Sequence, residues 1–319
     1  MYDTVVIARN QDEGARRDGG WEHGLAMNII TRGDFDGLVC SVLLTEVENI
    51  SGIRFTHPKV VQAKEIKITE DDIVVNLPYH PGCGMWFDHH SSESEVGLLP
   101  DSFKGKYALA PSCARIIYEY YSKPEWEKYA KLIEDTDKVD AAQLSLNDIL
   151  RPEGWVKLAN TVDPRTGFPP SQEYFTNLIG WIKELKLDEI LAMQEVKDRL
   201  REFYKQQEYF TELLKKHSTL NGQVVITDFR KLGSEPVGSR FLVYALFPTA
   251  NVSVRAFTVS RGAFVVIAVG RSILTRTCSK DVGAILKEYG GGGHPGAGSC
   301  RVPSKDADDV INEIVDKLI

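Results

Sequence analysis

Short apolar blocks separated by turn residues characterise the first part of the chain. Residues 25–31 form an apolar run that predicts a buried strand, and residues 37–47 form a longer apolar stretch that predicts a helix after the intervening turn. The runs at 73–77 and 85–87 are bounded by turn residues and predict two more buried strands. Strand, turn and helix in this order are typical of an α/β domain with a parallel sheet.

Helical spacing follows in the middle of the chain. Residues 112–121 and 125–134 have helical patterning, and Ser112 is a candidate N-cap. From 171 to about 217 the chain is charged, with apolar residues at intervals of three to four positions, which predicts a helical stretch. We interpret this stretch as a connector. A helical face packed on the first domain is an alternative that is compatible with that role.

The remaining residues predict a second, smaller α/β domain. Its predicted strands lie at 224–227, 252–257 and 264–269, and they alternate with predicted helices at 237–246 and 282–289. At 319 residues the chain exceeds the usual size of a single hydrophobic core. The expected fold class is therefore α/β, with a parallel-sheet domain at 1–185, a helical connector at 186–220 and a smaller α/β domain at 221–319.

Composition and charge narrow the class of protein. The chain has 43% hydrophobic and 26% charged residues, as ordinary globular proteins have, which excludes the disordered and fibrous classes. The formal net charge is −7, whereas a protein that binds duplex DNA would be basic overall. Residues 221–319 are mildly basic, with 12 Lys and Arg against 9 Asp and Glu. A basic domain suits a phosphorylated ligand, and an acidic domain beside it suits metal ions.

Cysteine usage and hydropathy bear on the compartment. The five cysteines are scattered and form no CxxC pair, which indicates reduced thiols in a cytosolic setting. No apolar run approaches the roughly 20 residues that span a bilayer. Residues 1–17 mix acids and bases and lack the apolar core of a secretory signal. We expect a cytoplasmic protein without a membrane partner.

Two polar motifs follow predicted strands of the first domain. Asp34 and Asp36, in the sequence DFDG, lie between a strand and a helix, where α/β proteins bind ligands and where two carboxylates suit a cation. A plain turn rich in Asp and Gly is the alternative. Asp88, His89 and His90 end another apolar run. Adjacent histidines point in different directions, so one can bind a metal while the other contacts substrate or orients a ligand.

Two further stretches carry candidate chemistry. The acidic cluster EDTDKVD at 134–140 closes a predicted helix, where carboxylates oppose the helix dipole; a solvated charged turn is the alternative. The stretch GGGGHPGAG at 290–298 has six glycines in nine positions. Ordering so many glycines costs conformational entropy. Binding of an anion by their backbone N–H groups would account for that cost. A flexible linker is the alternative, although linkers rarely contain His-Pro.

Together these motifs resemble the DHH phosphoesterase superfamily with its DHH-associated C-terminal domain. DFDG, DHH, the acidic cluster and GGGGHPGAG occur in the order and approximate spacing of that family, and the resemblance covers nearly the whole chain from about residue 25 onward. Members include enzymes that act on nanoRNA, nucleotide bisphosphates or cyclic dinucleotides, single-strand exonucleases, and proteins named exopolyphosphatases. The combination is specific, although each motif alone is not.

The resemblance implies a site for divalent cations, usually Mn²⁺, and Mg²⁺ would suit the same ligands. In the last ligand position, Asp140 fits the family's pattern better than Asp135. His90, together with Asp88, would be catalytic. The implied metal positions are Asp34, Asp36, Asn76, His89 and Asp140. The implied substrate-binding residues are Gly291, Gly292, Gly293, His294, Arg271 and Arg276, with Arg255 as a further candidate.

Two positions depart from the family's pattern. Ile30 stands where the first motif commonly has a His, four residues before Asp34, and Asn76 stands where the second motif has an Asp that bridges two ions. An amide bridges two dications poorly, so the number of ions, one or two, is open at this point. His80 or Asp72 could compensate, although a role in a surface loop fits both of them better.

We therefore expect a metal-dependent phosphoesterase that acts on short oligonucleotides, nucleotide bisphosphates, cyclic dinucleotides or polyphosphate. Its partner would be such a small substrate or a short single-stranded oligonucleotide, and analogy with relatives suggests a homodimer. The rival interpretation is a regulatory protein that binds a nucleotide without turnover, for which Ile30 and Asn76 are the evidence. The retained Asp and His residues favour the enzyme.

Overall fold

The computed structural model describes residues 5–6, 26–91, 102–163 and 171–319. The chain divides into two compact units. The first comprises Met1–Gln143, Glu153–Pro164 and Phe168–Asp198, and the second comprises Leu144–Pro152, Arg165–Gly167 and Arg199–Ile319. The domain limits expected from the sequence, 1–185, 186–220 and 221–319, stay a prediction.

A six-stranded sheet forms the centre of the first unit. Its strands are β1 (Val5–Val6), β2 (Met27–Thr31), β3 (Ile50–Phe55), β4 (Asp72–Val75), β5 (Met85–Asp88) and β6 (Gly105–Tyr107). They are ordered β1-β3-β2-β4-β5-β6. Strands β2 to β6 run parallel to one another, and β1 pairs antiparallel with β3 at one edge. The parallel sheet expected from the apolar runs is confirmed.

Helices occur in both units. In chain order they are α1 (Phe35–Val47), α2 (Pro58–Gln62), α3 (Cys113–Tyr121), α4 (Ala130–Asp140), α5 (Leu146–Leu150), α6 (Gly154–Ala159), α7 (Gln172–Glu184), α8 (Leu187–Ala192), α9 (Gln194–His217), α10 (Leu242–Leu246), α11 (Val282–Lys287) and α12 (Ala307–Leu318). Helices α5, α10, α11 and α12 belong to the second unit, and the boundary between the units falls inside α9.

Helix α1 is the central helix of the first unit. Ten consecutive residues, 35–44, are buried, and α1 contacts α3, α4 and α7. A helix that is apolar on every side is enclosed rather than placed at a surface. The DFDG motif lies at the start of this helix, so the protein interior fixes its position.

Four predicted elements differ from the observed ones. The helix expected at 237–246 is confined to α10, Leu242–Leu246. Strand β4 ends at Val75 because Asn76 adopts a left-handed conformation, with φ of +56°. The helix expected at 125–134 is a 3₁₀ helix, Pro124–Tyr129, followed by α4. The helical stretch expected from 171 is divided into α7, α8 and α9 because Leu185, Lys186 and Met193 have extended backbones. No glycine or proline marks those two breaks in the sequence.

The second unit also contains a six-stranded sheet, of mixed direction. Its strands are β7 (Ser218–Asn221), β8 (Val224–Asp228), β9 (Val252–Val259), β10 (Phe264–Arg271), β11 (Gly292–His294) and β12 (Ala297–Pro303), ordered β11-β12-β10-β9-β8-β7. Strands β8 and β9 are parallel, and the other neighbouring pairs are antiparallel. The sequence pattern predicted β8, β9 and β10 but missed the other three.

Alternating residues of β9 build the core of the second unit. Val252, Val254 and Ala256 are buried in one cluster with residues of α11 and α12, among them Leu286 and Ile314. This spacing of two is that of a strand with one face on a helical layer. The second unit is therefore an α/β unit, as the sequence predicted. Among the residues described in either unit, no helix is long and apolar enough to cross a membrane.

Candidate metal centre

The polar motifs of the first unit meet at the carboxyl ends of its parallel strands. Asp34 and Asp36 follow β2, Asn76 directly follows β4, and Asp88 is the last residue of β5. Strand β2 has β3 on one side and β4 on the other, so the order of the strands reverses beside it. In open α/β sheets this reversal opens a crevice in which ligands bind. The topology therefore collects residues that lie up to 54 positions apart, from 34 to 88.

The side chain of Asp36, on α1, is hydrogen-bonded by backbone groups of another helix, α3. Its side chain is buried, and its two oxygens accept hydrogen bonds from the backbone N–H groups of Cys113 (2.9 Å) and Ala114 (2.8 Å) in the first turn of α3. Burial raises the pKa of Asp36 to about 7, and the nearby Asp140 carboxylate adds to the rise. Two crowded carboxylates of this kind favour a cation between them.

The start of α3 is fixed in turn by α4. Ser112 caps α3 by accepting from Arg115 N at 3.0 Å, and its hydroxyl donates to Asp137 Oδ1 at 2.7 Å. The Arg115 guanidinium donates to Asp137 Oδ2 through Nε (3.0 Å) and Nη2 (2.6 Å). The expected N-cap is thus confirmed. The cap and the Arg115–Asp137 ion pair fix the start of α3, and with it the two amides that donate to Asp36.

His89 is oriented by a backbone carbonyl. Its Nδ1 lies 3.0 Å from Ala110 O, and because a carbonyl only accepts, Nδ1–H is the donor and Nε2 points away from it. Nε2 lies 3.1 Å from Asp140 Oδ2 and 3.8 Å from Asp36 Oδ2. Although buried, it has no partner in hydrogen-bond geometry among the described residues. Burial opposes protonation of His89, but the two carboxylates outweigh it and raise the pKa to about 9.

These three side chains fit a divalent cation. One donor atom each from Asp36, His89 and Asp140 lies within 4.8 Å of the other two. The carboxylates favour positive charge at Nε2 of His89, which a proton or a metal ion can supply. Two carboxylate oxygens with one imidazole are ligands suited to Mn²⁺ or Mg²⁺. We call this set the Asp36–His89–Asp140 cluster.

The structure distinguishes Asp140 from Asp135. Both lie on α4, but Asp140 is at its last position and reaches His89, whereas Asp135 pairs with Lys131 (3.0 Å) and Lys138 (3.4 Å) on its own helix. Burial raises the pKa of Asp140, but contact with His89 and the charges around it bring it below its ordinary value. Asp140 therefore belongs to the cluster, and Asp135 does not.

Asp88 orients His90 beside the cluster. His90 Nδ1–H donates to Asp88 Oδ1 at 2.8 Å, and the rings of His89 and His90 lie 4.3 Å apart between centroids. Asp88 is fully buried, whereas the His90 side chain is 36% exposed. With Nδ1 engaged, Nε2 of His90 is the nitrogen that a ligand in solution can reach. A buried carboxylate thus fixes the orientation of a partly exposed imidazole.

The carboxylate of Asp34 is surrounded by hydrogen-bond donors of the chain itself. Asp34 caps α1 by accepting from Gly37 N at 3.0 Å, and it also accepts from Asn76 Nδ2 at 3.1 Å. Its other oxygen lies 2.9 Å from Arg32 Nε. Asp72 and His80, the candidates for compensation, lie elsewhere: Asp72 pairs with Arg54 at 2.8 Å, and His80 Nδ1 accepts from Gly82 N at 3.1 Å.

In the second unit, the glycine-rich stretch forms a tight hairpin. Strand β11 pairs with β12, so the stretch is part of the sheet rather than a linker. A Cβ at Gly291 would lie 2.3 Å from Ser299 O, and a Cβ at Gly293 would lie 2.4 Å from Ala297 O. Close backbone approach thus demands these two glycines. At Gly292 a Cβ would meet no described atom within 4 Å.

The predicted substrate-binding side chains near this hairpin are placed as follows. His294 is exposed, and its Nδ1 accepts from Gly296 N at 3.3 Å. Arg271 N donates to Gly296 O at 2.8 Å, while the Arg271 guanidinium is engaged with the carbonyls of Ser279 and Lys280. Arg276 is exposed and donates to Ile273 O at 2.9 Å.

Arg255 lies on β9, and its Nη2 pairs with Glu235 at 3.0 Å. Of the predicted side chains, His294 and Arg271 therefore lie at the hairpin. Arg276 and Arg255 contact other groups, Ile273 O and Glu235.

Sequence reasoning missed Arg32 and the two amides of α3. Arg32 lies two residues before Asp34 and pairs with it, and a basic side chain directly before a motif of candidate metal-binding carboxylates was the available signal. The amides of Cys113 and Ala114 carry no signal in the sequence, because a backbone N–H is the same at every non-proline position.

Comparisons with known proteins place the chain in a family. No family model and no curated protein matches it. Among solved structures it is similar to the pGpG-specific phosphodiesterase PggH from Vibrio cholerae, with 34% identity and a TM-score of 0.80, over 91% of this chain and 98% of that one. A weaker match is RecJ from Thermus thermophilus in complex with Mn²⁺, with 13% identity and a TM-score of 0.48, over 91% of this chain and 51% of that one.

The first of these similarities extends over nearly the full length of both chains, and it includes the two units described above. The expected α/β fold class is confirmed, as is the expected class of enzyme, a phosphoesterase. The chain belongs to the DHH phosphoesterase superfamily.

Proposed function

We propose that this protein hydrolyses the phosphodiester bond of pGpG, a linear dinucleotide with a 5′-phosphate, to two molecules of guanosine monophosphate. The observation that carries the proposal is the 34% identity with a pGpG-specific phosphodiesterase over 98% of that chain. In the reaction one water molecule is consumed, the bond between phosphorus and the 3′ oxygen breaks, and that oxygen leaves with a proton.

The proposed cofactor is one Mn²⁺ or Mg²⁺ ion held by Asp36, His89 and Asp140. When bound, such an ion polarises the phosphoryl group and lowers the pKa of a water ligand. The support is the donor set itself, in which three ligand atoms converge and a buried imidazole nitrogen has no hydrogen-bond partner among the described residues. The amides of Cys113 and Ala114 keep the Asp36 carboxylate in place.

His90 and Asp88 are the proposed catalytic pair. With Nδ1–H bonded to Asp88, the exposed Nε2 of His90 can contact a phosphoryl oxygen or give a proton to the leaving 3′ oxygen. Gly291, Gly292, Gly293 and His294 are proposed to bind a phosphate or base of the substrate, with Arg271 as a neighbouring cation and Arg276 as a further candidate. Of Gly291, Gly292 and Gly293, only Gly292 has room for a Cβ among the described atoms. Packing does not require a glycine there, which supports a ligand near its backbone.

The test is a product analysis with purified protein. The protein is freed of metal by chelation, supplied with Mn²⁺ or Mg²⁺, and incubated with pGpG, a nucleotide bisphosphate, a cyclic dinucleotide and a short polyphosphate, with products resolved by chromatography. We expect guanosine monophosphate from pGpG and no product after chelation. Hydrolysis of another member of the panel, with pGpG left intact, would replace the substrate but keep the enzyme class.

A matched pair of variants controls for metal-independent background. Asp36→Asn should abolish turnover, whereas Asp71→Asn, an exposed Asp of the same unit, should leave it unchanged. Equal activity in both variants would overturn the assignment of the cluster. Tight binding of pGpG without any product would favour the rival interpretation, a nucleotide-binding regulatory protein. The expected homodimer, the cytoplasmic location and the exclusion of duplex DNA stay predictions.

A further inference from the structure

Asp34 has its charge compensated by groups of the chain itself. Oδ1 accepts from Gly37 N at 3.0 Å and from Asn76 Nδ2 at 3.1 Å, and Oδ2 lies 2.9 Å from Arg32 Nε. Both oxygens of the carboxylate are therefore directed at donors of the protein. A metal ion bound at Oδ2 would lie beside the positively charged Arg32 guanidinium, which is 2.9 Å from the same oxygen.

The side chain of Asn76 donates a hydrogen bond to Asp34, where an Asp at the same position would repel it. It is fully buried and has φ of +56°, a left-handed conformation that Asn tolerates better than most residues. A carboxylate in its place would put a second negative charge about where Nδ2 now lies, 3.1 Å from Asp34 Oδ1, and two such charges require a cation. The amide removes that requirement.

Position 30 supplies no ligand either. Ile30 is fully buried in an apolar cluster with Val74, Leu77 and Trp86. Of the three side chains at 30, 34 and 76, one is a carboxylate, and it is already paired. A second divalent cation on the Asp34 side of the centre would therefore meet a single carboxylate, already paired with Arg32, beside the neutral Oδ1 of Asn76.

Arg32 is a cation at that side. Its side chain is 37% exposed, and its Nε faces Asp34. A guanidinium that pairs with its carboxylate through Nε still carries N–H donors on both Nη nitrogens, and such donors bind phosphate oxygens.

We propose that Arg32 takes the place of a second metal ion. In this arrangement the centre binds a single divalent cation through the Asp36–His89–Asp140 cluster, Asn76 and Arg32 hold Asp34 as a structural anion, and the Nη groups of Arg32 contact a phosphoryl oxygen of the substrate. The substrate contact rests on the proposed function. The number of ions does not.

The number of ions is measured without substrate. Metal-free protein is titrated with Mn²⁺ by calorimetry, and the electron paramagnetic resonance spectrum of the saturated protein is recorded. We expect one Mn²⁺ per chain and the six-line spectrum of an isolated ion. Two ions per chain, or the spectrum of an exchange-coupled pair, would overturn the proposal. A protein that fails to cleave pGpG can still be tested in this way.

The role of Arg32 is measured first by the binding of inorganic phosphate to Mn²⁺-loaded protein. Arg32→Ala should weaken the affinity at least about 10-fold, because a charge-assisted contact is lost, and Arg32→Lys should restore part of it. With a cleaved substrate, Arg32→Ala should lower kcat/KM about 100-fold. Arg54→Ala is the matched control, since Arg54 also pairs with an aspartate of the first unit, Asp72, away from the cluster.

Phosphate affinity in Arg32→Ala equal to that of the wild type and of Arg54→Ala would refute the substrate contact. Thermal melting of each variant shows whether it is folded. If Arg32→Ala does not fold, the phosphate affinity of Arg32→Lys is compared with that of the wild type instead.

Discussion

Replacing Asn76 by Asp should lower the stability of the metal-free protein by about 3 kcal/mol. In the wild type the Asn76 amide donates to Asp34 Oδ1 at 3.1 Å, and Asn76 is fully buried. In Asn76→Asp a carboxylate oxygen takes the position of that donor. The favourable hydrogen bond becomes a contact between two negative charges, with the same backbone and nearly the same shape.

The size of the effect follows from the distance. Two unit charges 3.1 Å apart repel each other by about 5 kcal/mol at an effective dielectric constant of about 20. Protonation of one carboxyl limits the cost to about 4 kcal/mol at pH 7, since the ordinary pKa of Asp is about 4. Arg32, 2.9 Å from the other oxygen of Asp34, offsets part of this. We expect a loss of about 3 kcal/mol, or roughly 6–12 °C in Tm for a unit of this size.

The assay is thermal melting followed by circular dichroism, with a chelator and with Mn²⁺. Asn76→Gly is the control, because it removes the amide without adding charge and Gly accepts φ of +56°. Asn76→Asp should melt well below Asn76→Gly in the chelator and should gain more from Mn²⁺ than the wild type does, because the new carboxylate pair attracts a cation. A metal-free Asn76→Asp protein that melts within about 1 °C of the wild type would refute the electrostatic reasoning.

Three further predictions concern the cluster and the hairpin. Asp140→Asn should abolish Mn²⁺ binding in calorimetry, whereas Asp135→Asn, on the same helix, should retain it; the reverse result would move the ligand to Asp135. Gly292→Ala should raise KM with an unchanged Tm, whereas Gly293→Ala should lower Tm, because its Cβ would lie 2.4 Å from a carbonyl oxygen; equal KM values for Gly292→Ala and wild type would remove the hairpin from the substrate site. Ser112→Ala should cost about 1 kcal/mol in urea unfolding through the lost cap, and no change in stability would contradict that role.

Local signals in the sequence were enough for the central strands and for the polar motifs. The apolar runs predicted β2, β4 and β5, and DFDG and DHH were recognised as candidate chemistry because each follows such a run. These inferences succeed because a buried parallel strand needs a continuous apolar stretch, and its carboxyl end is where polar ligands gather. The edge strands β7 and β11 were missed, since one is polar and the other is made mostly of glycine.

The choice among the carboxylates required the tertiary structure. Asp135 and Asp140 lie five positions apart in one acidic cluster, and the sequence favoured Asp140 through family resemblance alone. In the structure the last turn of α4 brings Asp140 to His89, while lysines of α4 hold Asp135. Which carboxylate binds a cation depends on distances between elements that are remote in sequence, and no local pattern encodes those distances.

The sequence by itself determined which residues could do chemistry, and the tertiary structure decided what each of them contacts. Ile30 and Asn76 were visible as departures from a motif, but their consequence depends on Arg32, whose importance appears once its guanidinium is seen beside Asp34. The physical reason is that a carboxylate can be neutralised by a metal ion, an arginine or an amide donor. Composition lists all of these groups, and the three-dimensional fold alone determines which of them lies within 3 Å or so, where charge and hydrogen bonding act.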